Sequence, residues 1–97
     1  MKEKKFNQLF ILQASYYRLE QALFELANIA TDQDVVLLLE DAVLAQSLDA
    51  ISHVKAIFVL STDAHTQHEK ILEKMKIIDY ADWAELLQHS RKVHTWQ

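Results

Sequence analysis

The sequence predicts an α/β fold in three layers, with a mainly parallel sheet of about five strands and helices on both faces. Three observations lead there. Two runs, Val35 to Leu39 and Ala56 to Leu60, are apolar at every position, as strands buried on both sides are. Stretches with helical spacing separate the strand segments, as parallel connections require. The 97 residues, 51% hydrophobic and 25% charged, suffice for one hydrophobic core and are too few for two. A single domain over residues 1–97 is expected, with residues 1–5 frayed.

Leu9 to Leu12 reads as the first strand. Ser15 then stands as an N-cap, and Tyr16, Leu19, Leu23, Leu26 and Ala30 recur at a spacing that places them on one helix face. Thr31 to Asp34 is a polar break before strand two, Val35 to Leu39. Asp41 is placed to cap a short helix through Ser47 and Leu48. Strand three, Ala56 to Leu60, is closed by Ser61-Thr62-Asp63. Thr66 and Glu69 have capping-box spacing for a helix over Ile71, Leu72 and Met75, which leads into a brief fourth strand, Lys76 to Ile78. Asp79 sits where an N-cap belongs and Asp82 lies in the first turn, where the helix dipole favours an anion. Trp83, Leu86 and Leu87 supply the buried face of that helix. Lys92 to Trp96 completes the sheet, with Val93 and Thr95 on one face and His94 and Trp96 on the other. Because the sequence has no glycine, tight positive-φ turns fall to Asn28, Asp32 or Asp34. Tyr16, Phe24, Phe58 and Trp83 are assigned to the core.

Composition excludes several functions. The aliphatic runs are far shorter than the roughly 20 residues that span a bilayer. Lys2, Lys4 and Lys5 precede an apolar stretch, Leu9 to Leu12, that is too short for a signal-peptide core, so a cytoplasmic protein is expected. Residues 6–54 carry Arg18 against seven acids, residues 55–97 balance six against six, and the net charge is −4. No folded part offers the Lys/Arg cluster that releases counterions from phosphates, which disfavours direct nucleic-acid binding. With no cysteine there is no disulfide, thiolate nucleophile, thiolate metal site or persulfide to carry. With no glycine, no Walker loop or dinucleotide fingerprint can form, and no cofactor is expected.

In parallel sheets ligands and partners gather at the carboxyl ends of strands. Those ends carry Ser15, Glu40 with Asp41, Ser61-Thr62-Asp63, and Asp79 with Tyr80, each of which also makes a good cap or turn residue. Glu40 and Asp41 are adjacent and so point apart, and no nucleophile accompanies them for acid/base chemistry. Gln13 and Ala14 occupy positions where a phosphoacceptor receiver domain needs acids. His65, His68 and Glu69 fall one helical turn apart but match no zincin spacing and lack a third ligand group, so no metal is expected. His53, His89 and His94 are scattered and read as surface residues. Trp96, near the end of the sequence, is read with equal weight as a contact for another subunit or as packing on its own domain.

Val36-Leu37-Leu38-Leu39-Glu40-Asp41-Ala42-Val43, then Phe58-Val59-Leu60 with Asp63, then Ile77-Ile78-Asp79-Tyr80-Ala81-Asp82-Trp83 and Trp96 resemble the TusB/DsrH family in order and spacing, from about Leu9 to Trp96. Ala42 stands where the family has glycine, and Gln13-Ala14-Ser15 replaces a frequent Ser-Pro. The resemblance implies a DsrE-like fold and assembly with two sister subunits, TusC- and TusD-like, in a complex that takes sulfur from a carrier protein. In the TusBCD complex, persulfide sulfur is relayed toward 2-thiouridine at the tRNA wobble position. A related branch serves sulfur oxidation, and some of its members carry a cysteine, so the absence of cysteine here favours the tRNA branch. The chain is then a noncatalytic subunit without direct nucleic-acid or membrane contact. Its candidate partner-binding residues are Glu40, Asp41, Asp63, Tyr80 and Trp96. A different class of function is a stand-alone regulatory module resembling an anti-sigma antagonist, phosphorylated in the Ser61-Thr62 loop; an independent small-molecule enzyme ranks third.

Overall fold

The structure, a computed structural model, describes residues 6–45, 47–64 and 69–96, with residues 69 and 70 described by their backbone alone. Lys2, Lys4 and Lys5, the His65/His68 pair with the Glu69 side chain, and Thr66 of the expected capping box lie outside the described residues.

In chain order the elements are β1 (Phe6–Leu12), a 3-10 turn (Tyr16–Arg18), α1 (Leu19–Ile29), β2 (Val35–Leu38), two further 3-10 turns (Glu40–Leu44 and Asp49–Ile51), β3 (Ala56–Leu60), α2 (Ser61–Ala64), α3 (Glu69–Leu72), β4 (Lys76–Ile78), α4 (Tyr80–His89) and β5 (Ser90–Trp96). The five strands form one sheet in the order β4-β3-β2-β1-β5, and every neighbouring pair is parallel.

Strand alternation decides the layering. Phe10, Leu12, Val36, Leu38, Ile57 and Val59 belong to the larger core, packed with Leu19, Ala22, Leu23 and Leu26 of α1 and with Val43, Ile51 and Ala64. Leu9, Ile11, Val35, Leu37, Phe58 and Leu60 form the other core with Ile78, and Leu86 and Trp83 of α4 cover them. Right-handed crossovers explain the division. Three successive steps from β1 to β4 run the same way and set their connections on one face; the return from β4 to β5 puts α4 on the opposite face. Among the described residues, no helix is long and apolar enough to cross a membrane.

Several local expectations are corrected. The chain enters α1 through a 3-10 turn, which advances about 120° per residue instead of 100°. That shift takes Tyr16 off the buried stripe and leaves it exposed. Phe24, five residues after Leu19, faces solvent at 66% exposure, so neither ring belongs to the core. Leu87 is also exposed, and Leu86 alone of that leucine pair is buried. Ser15 caps with its backbone, accepting from Arg18 N at 3.0 Å, and makes no side-chain cap. After β2 the chain forms a 3-10 turn whose N-cap is Leu39, so Asp41 lies inside the turn and is not its N-cap. Met75 is buried beyond the end of α3 rather than on it. Asp79 behaves as expected: Asp82 N donates to its Oδ1 at 2.8 Å, and Asp79 N donates to Asp82 Oδ2 at 3.2 Å, a closed capping box.

The positive-φ position is not Asn28, Asp32 or Asp34. Among the described residues it is Glu40, at φ 52, where the chain leaves β2 and must turn at once into the following 3-10 turn. Asp34 has a different role. It is fully buried, and its carboxylate accepts from Thr31 N at 2.7 Å, Gln8 N at 3.0 Å, Thr31 Oγ1 at 3.2 Å and Gln8 Nε2 at 3.4 Å. Gln8 in turn accepts from His94 Nε2 at 2.8 Å, and the His94 ring stacks on Phe10 at 5.3 Å. His94 is therefore half-buried and His89 buried, and of the three scattered histidines only His53 lies at the surface.

Candidate functional site

Parallel strands deliver their carboxyl ends to one rim of the sheet, and all five candidate residues lie along it. Tyr80 follows β4, Asp63 follows β3, Glu40 and Asp41 follow β2, and Trp96 ends β5. Because β4 and β5 are the two edges of the sheet, Tyr80 and Trp96 are separated by four strand spacings, roughly 19 Å. They cannot act on one small ligand. Neighbouring β2 and β3, by contrast, bring Glu40 and Asp63 together: the Glu40 backbone N–H donates to Asp63 Oδ2 at 3.3 Å.

The contact shows why an acid one turn into α2 matters to the loop after β2. Glu40 is in the left-handed region, which brings its Cβ close to the following carbonyl and disfavours any residue but glycine by about 1–2 kcal/mol. The Asp63 carboxylate holds the amide of that residue. The Glu40 and Asp41 side chains are exposed, two carboxylates that can only accept hydrogen bonds. Such groups suit a partner's N–H donors or cations. Among the described residues, no three His, Asp or Glu side chains gather as a metal-binding group.

Tyr80, at 62% exposure, tilts over Trp83 with ring centroids 6.1 Å apart. Trp83 lies partly against the smaller core, and its indole Nε1 is buried with no hydrogen-bond partner among the described residues. Trp96 is more enclosed than its place in the sequence suggests. Its ring packs on the larger core and meets Phe10 edge-on at 6.5 Å, while its carbonyl accepts from Gln13 N at 2.9 Å. The residue is only partly buried.

Sequence reasoning missed the aromatic surface of Tyr16, Tyr17 and Phe24. A signal was present for Phe24: the stripe of Leu19, Leu23, Leu26 and Ala30 leaves it on the far side of an ideal helix. A sequence-family profile described as DsrH like protein matches residues 18–93, well over half of the chain and inclusive of Glu40, Asp41, Asp63 and Tyr80. No curated protein matches it.

Proposed function

Since the chain belongs to the DsrH-like family, we propose that it is a noncatalytic subunit of a heteromeric, TusBCD-like sulfur-relay complex in the cytoplasm. In this reading the complex passes persulfide sulfur toward 2-thiouridine at the tRNA wobble position. The family match carries the reading, and the chemistry of the chain agrees with it. Persulfide transfer runs through attack by a thiolate or a persulfide, and these 97 residues include no cysteine. The chain contributes by assembly: its rim of Glu40, Asp41, Asp63, Tyr80 and Trp96 faces two sister subunits, TusC- and TusD-like, or the carrier that docks on them.

The deciding experiment deletes the gene and measures wobble 2-thiouridine in bulk tRNA by mass spectrometry. Loss of the modification, restored by the wild-type chain, is expected. Unchanged thiolation overturns the tRNA assignment and turns attention to sulfur oxidation. In vitro, incubation with a cysteine desulfurase, cysteine and the carrier leaves the intact mass of this chain unaltered, and a stable gain of one sulfur atom overturns the noncatalytic role. Co-expression with the two sister subunits yields a complex larger than the monomer by light scattering; a chain that stays monomeric beside them refutes the assembly.

A further inference from the structure

The outward side of α1 and of the 3-10 turn before it is aromatic where solvent should favour charge. Tyr17 is 98% exposed, Tyr16 meets it edge-on at 6.2 Å, and Phe24 is exposed two turns of chain further on. Beside these rings a groove of about 630 Å³ runs between α1 and the two 3-10 turns that follow β2. Tyr16, Tyr17, Leu19, Leu23 and Leu44 give it apolar walls, and Glu20 is its charged lining residue. Between residues 6 and 54 the only lysine or arginine is Arg18, which Glu25 engages at 3.5 Å. The turn that supplies Leu44 begins with the exposed acids Glu40 and Asp41.

We infer that this groove is a docking site for a segment of a partner protein that lays an apolar side chain against the paired tyrosines and sets a lysine or arginine against Glu20. The apolar walls select the anchor and the acidic surroundings select its neighbour. A second copy of this chain is disfavoured on the same ground, because a two-fold contact would lay the acidic border against itself. A small polar ligand is disfavoured because the described lining is mainly apolar, with Glu20 its one charged residue. The groove opens at the same carboxyl end of the sheet, between the turns that follow β1 and β2, so the inference rests on the partner-binding role proposed for that rim.

The isotope-labelled chain is titrated by NMR with a synthetic peptide of alternating leucine and lysine, and in parallel with one of alternating leucine and glutamate. Saturable amide shifts are expected for the lysine peptide at Tyr17, Glu20, Leu23 and Leu44. Glu20→Lys and Tyr17→Ser each weaken that binding by about tenfold, the loss expected of an anchor contact. Both side chains are exposed, so the fold survives either change, and unshifted amides elsewhere verify this. The inference is overturned by the absence of a saturable shift, by shifts spread over the surface, by an equal response to the glutamate peptide, or by binding that neither variant weakens.

Discussion

At the amino-terminal ends of the strands the polar groups are consumed by the fold. Asp34 is sealed from solvent with four donors around its carboxylate, its carbonyl accepts from Lys55 N at 2.8 Å, and Asn7 N donates to Gln33 O at 3.0 Å. At the carboxyl ends Glu40 and Asp41 are exposed, and Asp63 reaches across to hold an amide in a disfavoured conformation. The same chemical group, a carboxylate at a strand end, is structural at one rim and presented outward at the other. A buried carboxylate is tolerable only when fully hydrogen-bonded, which leaves it nothing to offer a partner. An exposed one keeps its acceptor capacity free.

If the amino-terminal rim is structural, its loss should have the largest effect. Asp34→Ala strips the acceptor from the backbone amides of Gln8 and Thr31, both in part-buried contacts, and empties a fully buried site, so a loss of about 3 kcal/mol is expected, read as a lower urea midpoint with an unchanged slope. A change below about 1 kcal/mol would break the comparison. Next comes Trp96→Ala, which removes a ring that is partly core and partly rim. Destabilisation of about 2 kcal/mol is expected in the isolated chain, because the contact with Phe10 and the larger core is lost. A fold unaffected by this change, with assembly lost, would assign the ring wholly to the partner. Asp63→Ala removes the hydrogen bond to the Glu40 amide and should lower stability by about 1 kcal/mol, seen as a small shift in thermal midpoint. Glu40→Gly has the smallest expected effect and the opposite sign. Relief of the left-handed strain raises stability by at most about 1 kcal/mol, offset in part by the added freedom of the unfolded chain. A destabilising result would show that the Glu40 side chain has a structural role.

The sequence discloses the sheet more fully than its edges. β3 and β4 fall where the aliphatic runs place them, and β2 stops one residue short of Leu39. The capping residue of α4 is legible because a capping box is local chemistry. β1 begins at Phe6, three residues before the apolar run, because Asn7 and Gln8 join the sheet through polar partners that are distant in sequence. The turn after β2 and the start of α1 were misread for one reason: 3-10 and α geometry share residue preferences, yet a single tight turn changes which side chains face inward. The rim residues were legible, since carboxyl ends of parallel strands follow from strand assignment alone. The link from Asp63 to Glu40 was not, because it depends on φ at a residue that carries no signal for the left-handed region.

Every neighbouring pair in the sheet but one joins strands consecutive in sequence, and the exception sets Phe6 beside Ser90 and Leu12 beside Trp96. Loop-closure entropy rises with the length of chain enclosed, and pairings of this span form slowly. Strands β1 to β4 can therefore be laid down stepwise while β5 must wait for the whole intervening chain. Until it docks, the outer edge of β1, with Leu9, Phe10 and Ile11, stands open as a template for another molecule's strand. The exposure of this edge is thus set by the arrival of β5 and not by the depth of the aliphatic core.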